Sequence, residues 1–92
     1  MNHYIFRGDK EFVEARLTDD RKLLIKNNLT NNEFVEIKER LFGNDRKKRA
    51  MCSIMISRLP KLNENEVDVY LNLEFYKMGY VLVSKDDKRV NV

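Results

Sequence analysis

The sequence has very few of the residues that catalytic and metal-binding proteins commonly use. Its 92 residues include one cysteine, Cys52, one histidine, His3, three glycines, one proline and no tryptophan. A single cysteine excludes an intramolecular disulfide, and one cysteine with one histidine is too few for a zinc site. Three isolated glycines exclude a glycine-rich phosphate-binding loop. We therefore expect no cofactor and no metal.

Long apolar runs are also missing. The longest one, Tyr80 to Val83, is far too short to cross a membrane. Met1 to Arg7 lacks the apolar core of a signal peptide. A secreted domain of this size usually depends on several disulfides. We therefore expect a cytoplasmic protein with no membrane partner.

The charges nearly balance. Eighteen Lys and Arg residues against 15 Asp and Glu residues leave a net charge of +3, and hydrophobic residues make up 42% of the chain. This is enough apolar material for one core, so we expect a single domain over residues 1–92. The mild basicity permits a nucleic-acid partner without requiring one. The abundance of asparagine and lysine resembles, in style alone, the small accessory proteins of AT-rich phage or bacterial genomes.

The periodicities predict a small α+β domain made mainly of antiparallel strands, with one central helix. Thr30 and Glu33 form a Thr-x-x-Glu capping box. Three apolar residues then recur at helical spacing: Phe34, Ile37 and Leu41. Gly43 suits the left-handed conformation that follows a helix end. We therefore expect a helix over about 31–42.

The C-terminal third has the most regular alternation in the chain. Five apolar residues occupy every second position: Val67, Val69, Leu71, Leu73 and Phe75. Period two indicates a strand, followed by a turn at Gly79 and a strand from Tyr80 to Ser84. A turn at Asp86-Asp87 and a short edge strand over 89–92 would complete a C-terminal meander. The alternative is a helix from Glu66 to Met78, with Gly79 after its end.

Two segments can each be interpreted as strands or as a helix. Ala50 to Leu59 is predicted as a strand, because a helix would spread its apolar residues around the whole circumference. Tyr4 to Arg7 suggests a strand and Gly8-Asp9-Lys10 a turn. Residues 10–26 then alternate in two short runs around a turn at Thr18-Asp19-Asp20, which favours hairpins. One helix over 10–26 remains the alternative. A winged-helix fold, with residues 44–59 as a recognition helix, is disfavoured by the same poor separation of apolar residues.

No set of residues predicts catalysis. Cys52 lies among apolar residues, where cysteine is usually inert core, and His3 lies next to the chain end. Glu74 and Lys77 are spaced one residue too widely for the Glu-x-Lys pattern of metal-dependent nucleases. The sequence therefore predicts a protein that is not an enzyme and has no catalytic residues.

Two groups of residues are candidates for binding. The basic run Arg46, Lys47, Lys48 and Arg49 can neutralise phosphates, dock an acidic protein surface, or serve as a solvated connection between elements. Three further residues lie on the polar face of the predicted strand: Tyr70, Asn72 and Tyr76. Exposed tyrosines can anchor a protein interface or stack on bases.

These observations favour a non-enzymatic small regulatory or inhibitory protein of the phage or mobile-element accessory type, acting by protein–protein contact. The alternative is an RNA or single-stranded DNA binding protein that uses the 46–49 run. Strands followed by a helix and further strands also occur in OB-type barrels, an analogy of fold alone. A small toxin-like ribonuclease is a third, weaker reading, because such enzymes can use scattered Arg, Lys and Tyr residues.

Overall fold

The computed structural model describes residues 2–27 and 33–86. The elements in chain order are β1 (Asn2–Arg7), β2 (Phe12–Leu17), β3 (Leu23–Asn27), β4 (Val35–Glu36), α1 (Arg46–Arg58), a 3-10 turn (Leu59–Lys61), α2 (Val67–Lys77) and β5 (Val81–Asp86). The strands form one antiparallel sheet in the order β4-β3-β2-β1-β5. The α+β class predicted from the sequence is confirmed.

The first three strands form the two predicted hairpins, and the alternative helix over 10–26 is wrong. The Gly8 N–H donates to the Glu11 carbonyl at 2.7 Å in the first turn. The Thr18 N–H donates to the Lys22 carbonyl at 2.9 Å around the second turn, which contains Asp19-Asp20 as predicted. Alternate residues of β2 are buried, which is the burial that the period-two pattern indicated.

The central helix over 31–42 is wrong in the part that the structure describes. Residues 33–42 contain β4 and a turn, while Thr30 and residues 31–32 lie outside the described residues. Ile37 is buried and donates its N–H to the Leu23 carbonyl at 2.8 Å. Pairing with the edge of β3 provides hydrogen-bond partners for the backbone of this segment and buries Ile37. This tertiary contact outweighs the preference for a helix that the spacing of apolar residues indicated. Gly43 has the predicted positive φ of 91°, but it follows a turn.

The predicted strand over Ala50 to Leu59 is also wrong, because this segment belongs to α1. The Asp45 side chain caps the helix by accepting a hydrogen bond from the Lys48 N–H at 3.1 Å. Three residues at helical spacing are buried: Cys52, Met55 and Leu59. Ile54 and Ile56 stay 38% and 42% exposed. These exposed isoleucines are the reason that the apolar pattern does not look like that of an amphipathic helix.

The C-terminal meander is replaced by a helix and one strand. α2 buries four residues at helical spacing, Val67, Leu71, Glu74 and Phe75, and Met78 directly after its end is also buried. Val69 and Leu73, which the strand prediction placed beside Leu71, are 72% and 49% exposed. Gly79 has a φ of 96° and follows the end of α2, as the alternative prediction required. The strand predicted from Tyr80 is confirmed as β5, which includes Asp86; Asp87 and the strand predicted over 89–92 lie outside the described residues.

Both helices cover the same face of the sheet. The Phe75 ring of α2 stacks on Phe6 of β1 with 4.1 Å between ring centroids, and Cys52 of α1 belongs to the same buried cluster. The opposite face of the sheet carries no described helix. We call it the open face, and it displays the residues of β1 and β2 that alternate with the buried ones, including His3, Ile5 and Phe12.

Candidate interaction surfaces

Cys52 and His3 cannot form a nucleophile–base pair. Cys52 is fully buried between α1 and the sheet, as the sequence predicted. Burial raises the pKa of its thiol to about 11, and the charge of Lys48 offsets only part of this effect. His3 alternates with buried Tyr4, so it lies on the open face, where its Nε2 is 3.0 Å from Glu14 Oε2. The sheet therefore separates the thiol from the imidazole.

We expect Cys52→Ser to lower the free energy of unfolding by about 1–3 kcal/mol at neutral pH, because the buried hydroxyl gains no good partner. It should also flatten the loss of stability at high pH. The ordinary thiol pKa is 9.0, whereas the folded value is about 11. The unfolded chain therefore releases this proton first, and wild-type stability falls as pH rises between these values. Urea denaturation across this pH range tests the prediction, and parallel curves for wild type and variant would contradict it.

Tyr70 does not lie on an exposed strand face. It is half-buried on α2, on the side facing the end of α1, where Glu74 and Arg58 act on its hydroxyl. Burial and the Glu74 charge raise the pKa of Tyr70. The Tyr70 hydroxyl and Glu74 Oε1 are both buried without a hydrogen-bond partner among the described residues. Lys77 Nζ lies 3.7 Å from the other Glu74 oxygen, because a helix brings residues three apart to one side.

Asn72 and Tyr76 are exposed as predicted, but on α2 and not on a strand. Tyr76 is 67% exposed. Both follow Asp68 along one line of the helix, at intervals of four residues. They are therefore separated from Tyr70, and the three predicted residues do not form one site.

The basic run forms the first turn of α1, so its prediction as a connection between elements is wrong. Lys48 Nζ lies 5.2 Å from the centre of the Tyr80 ring, and Arg49 pairs with Glu39 at 3.4 Å. Arg46 and Lys47 are exposed and have no ion pair within the described residues. Cations at a helix N-terminus oppose its dipole by about 0.3–1 kcal/mol each. Lys48 and Arg49 thus contact other parts of the domain, whereas Arg46 and Lys47 are available to a ligand.

The open face carries an apolar patch that sequence reasoning missed. We define the open-face patch as Ile5, Arg7, Phe12, Val81 and Val83. Arg7 of β1 pairs with Phe12 on one side and with Val81 on the other, so these three side chains form a row across three strands. Phe12, Val81 and Val83 are 46%, 46% and 47% exposed. The signal in the sequence was the presence of Ile5 and Phe12 at the polar positions of two alternating strands.

The charges of the open face leave a positive excess near this patch. Glu14 is shared by His3 at 3.0 Å and Lys26 at 3.6 Å. The Arg16 guanidinium lies 4.2 Å from the centre of the Phe34 ring. Arg7 has no ion pair with any residue of 2–27 or 33–86. Arg7 is therefore available to form an ion pair with an acidic group of a binding protein.

A polar cleft of about 420 Å³ lies at the other end of the sheet, between the second hairpin and the start of α2. Its main charged groups already have partners. Arg21 Nη1 donates to the Leu62 carbonyl at 3.0 Å, and Asp68 accepts from Tyr4 at 2.5 Å and pairs with Lys85 at 2.6 Å. Burial alone would raise the pKa of Asp68, but these contacts outweigh it and lower the pKa. The cleft is thus held together by its own side chains.

The described residues contain no group of three His, Cys, Asp or Glu side chains that could hold a metal ion. Within the same residues, neither helix is long and apolar enough to span a bilayer. Comparison of the chain with protein-family models, with curated proteins and with solved structures finds no match.

Proposed function

We propose that this chain is a non-enzymatic regulatory or inhibitory protein that binds another protein through the open-face patch. The observation that carries this proposal is the row of Phe12, Arg7 and Val81 on a sheet face that no described helix covers. Exposed apolar residues that cluster around a cation are typical of a protein interface, where aromatic residues and arginine are enriched. A cytoplasmic, phage-type accessory role remains part of the proposal, supported by composition alone.

The chemistry of the patch favours a protein over a nucleic acid. Single-strand binding by a sheet needs exposed aromatic rings on which successive bases stack. The open-face patch has one aromatic ring, Phe12, among the aliphatic side chains of Ile5, Val81 and Val83. The Phe34 ring on the same face is already covered by Arg16. Aliphatic surface is buried well by another protein's apolar side chains, and Arg7 favours an acidic group at the edge of that contact.

The second candidate is binding of RNA or single-stranded DNA by the start of α1. The observation that favours it is the pair of exposed cations Arg46 and Lys47, placed where the helix dipole opposes them. Phosphates would relieve this repulsion and add salt-dependent affinity. Lys48 and Arg49 are excluded from the test of this function, because their contacts with Tyr80 and Glu39 support the fold.

One affinity-capture experiment distinguishes the two candidates. Host lysate, with and without nuclease treatment, is passed over wild type, the double variant Phe12→Ser/Val81→Ser and the double variant Arg46→Ser/Lys47→Ser. We expect a protein partner that survives nuclease, is retained by the Arg46/Lys47 variant and is lost by the Phe12/Val81 variant. Ile54→Ser/Ile56→Ser on α1 is the matched control, since these isoleucines are similarly exposed, at 38% and 42%.

Two results would contradict the protein-binding proposal. Capture that disappears after nuclease treatment and depends on Arg46 and Lys47 would favour nucleic acid. In that case purified RNA should bind with an affinity that falls steeply with salt, and each lost phosphate contact should reduce the slope by about 0.7. A partner retained by the Phe12/Val81 variant would place the binding surface elsewhere on the molecule.

A further inference from the structure

A cleft of about 330 Å³ lies beside α1. Four residues of the helix and one residue of the preceding turn line it: Arg46, Arg49, Ala50, Ser53 and Glu39. The four helix residues follow one another along one side of α1, because the later three come three, four and seven positions after the first. Lys47 is not among the lining residues. We call this space the α1 cleft; it combines two arginines of the basic run with a serine.

The Arg49 guanidinium has a hydrogen-bond donor that is not used. Its Nε is buried and has no acceptor. Its Nη2 lies 3.4 Å from Glu39 Oε1, which is longer than a usual N–H···O distance, and the Glu39 side chain is 54% exposed. An ion pair this exposed is easily exchanged for a stronger one. A ligand with two adjacent oxygens can therefore replace Glu39 and also supply the acceptor that Nε lacks.

The other two polar groups that α1 contributes are also available. Arg46 is exposed and forms no ion pair within residues 2–27 and 33–86. The Ser53 hydroxyl is exposed and has no hydrogen bond to the same residues, whereas the Ser57 hydroxyl, one turn later, donates to the Ile54 carbonyl at 3.2 Å. Ala50 is also exposed on this side and contributes only a methyl group, which leaves space for a ligand. Three side chains with available donors thus line one cleft.

These donors fit a phosphate monoester. At neutral pH such a group carries a charge of about −1.5 to −2 and three acceptor oxygens. Arginine can bind two of these oxygens at once, because the planar guanidinium offers parallel N–H groups. A serine hydroxyl can donate to the third oxygen. A carboxylate has two oxygens and a single charge, so it satisfies fewer of the donors in this cleft.

The position and lining of the cleft favour a phosphorylated protein over a nucleic acid. The cleft extends along the side of α1 to Ser53 in the second turn, while at the N-terminal end the Asp45 carboxylate already accepts from the Lys48 N–H. Single-stranded nucleic acids are bound through aromatic rings that stack on the bases as well as through phosphate contacts. No aromatic side chain of the described residues lines the cleft. A phosphate carried on a protein side chain needs no such stacking surface.

We propose that the α1 cleft binds the phosphate of a phosphorylated serine or threonine on a protein partner. Arg46 and Arg49 bind the phosphate oxygens, and the Arg49 Nε thereby gains an acceptor. Ser53 donates the remaining hydrogen bond, and the Glu39 carboxylate is displaced into solvent. α1 covers the face of the sheet opposite to the open-face patch, so this proposal does not depend on the proposed function.

Titration of the full chain with a short phosphoserine peptide of otherwise neutral residues, followed by heteronuclear NMR, tests the proposal. The same peptide with unmodified serine and an RNA oligonucleotide without a terminal phosphate are the comparison ligands. We expect the phosphopeptide to bind at least about tenfold more tightly than either, and the Arg49 Nε–H signal to shift as its hydrogen bond forms. Equal affinity for the two peptides overturns the proposal, and so does an Arg49 Nε–H signal that does not move. Tighter binding of the RNA also overturns it and would assign the cleft to nucleic acid.

Substitutions in α1 locate the bound phosphate. Arg46→Gln should weaken phosphopeptide binding by about tenfold because it removes a charged donor, and Ala50→Leu should do the same because it fills the cleft without changing the charge. Arg49→Lys keeps the charge and can still pair with Glu39, but it loses the planar guanidinium and should weaken binding to a similar extent. Thermal denaturation checks that each variant is folded; Arg46 and Ala50 are exposed, so their variants should melt near the wild-type temperature.

Lys47→Gln is the matched control, because it removes the same charge from the same turn of the helix but outside the cleft. It should change the affinity for the phosphopeptide by no more than about twofold. The double variant Phe12→Ser/Val81→Ser should leave this affinity unchanged, which separates the α1 cleft from the open-face patch. Equal weakening by Lys47→Gln and Arg46→Gln would show a general attraction to the basic run and overturn the proposal. Unchanged binding by Ala50→Leu would likewise overturn it, because the phosphate would then lie outside the cleft.

Discussion

Leu71→Asp is expected to unfold the protein, whereas Leu73→Asp is expected to leave it folded. Leu71 is fully buried on the inner side of α2, and Leu73 is 49% exposed on its outer side. An unpaired carboxylate at position 71 should reduce the free energy of unfolding by several kcal/mol, comparable to the total stability of about 5–15 kcal/mol for a domain. At position 73 the change should be about 0.5 kcal/mol, as for other surface substitutions.

The comparison of these two variants by thermal denaturation also tests the fold of this segment. A strand would place residues 71 and 73 on one face, so both aspartates would then have the same effect. A helix turns by about 200° between them, so only one of the two is buried. Equal stability losses would contradict α2. A cooperative melt of Leu71→Asp near the wild-type temperature would contradict the burial of Leu71.

Phe75→Ala is expected to lower the free energy of unfolding by about 3–5 kcal/mol. The Phe75 ring stacks on Phe6 at 4.1 Å with 10° between the planes, and it contacts Phe42 and Tyr80 edge-on at 6.5 and 6.1 Å. Removing it leaves a cavity at the centre of this aromatic cluster and separates α2 from β1. Because Phe75 is fully buried, the cavity cannot fill with solvent without exposing apolar surface.

The matched control is Phe12→Ala, which removes the same side chain from the open face. Phe12 is 46% exposed, so its loss should cost about 1 kcal/mol or less. Urea denaturation of both variants gives the comparison. A loss at position 75 no larger than the loss at position 12 would mean that the aromatic cluster is not the centre of the core.

Local hydrogen bonding and alternation were sufficient to predict the N-terminal hairpins. The turn residues Gly8 and Asp19-Asp20 and the alternation between them fix both the strands and their register. The prediction that Cys52 is buried in the core had the same basis, because its apolar neighbours indicated burial in either a strand or a helix. These features depend on residues close together in the chain.

The helices could not be predicted correctly, because each leaves apolar residues exposed. Val69 and Leu73 on α2 and Ile54 and Ile56 on α1 fill positions that an amphipathic helix normally gives to polar residues. In α2 they complete a period-two pattern that is typical of a strand.

The candidate binding residues divide in the same way, into those that local sequence identified and those that only the fold brings together. The sequence identified Arg46 and Lys47 as available cations and Asn72 and Tyr76 as exposed, because charge and polarity are local properties. The open-face row of Phe12, Arg7 and Val81 joins residues from three strands. Val81 is 69 positions after Phe12 in the sequence, and the two residues belong to one row only because β5 pairs with β1. No local pattern could have joined them.

The sequence by itself determined the α+β class, the two N-terminal hairpins, the β5 strand and the burial of Cys52. Tertiary structure alone decided which side chains of the period-two segment 67–76 are buried, since a core beneath one side selects a helix despite the local alternation. It also decided that β5 joins β1 at the edge of the sheet. That pairing places Val81 beside Arg7 and Phe12 on the open face, and the proposed binding surface depends on it.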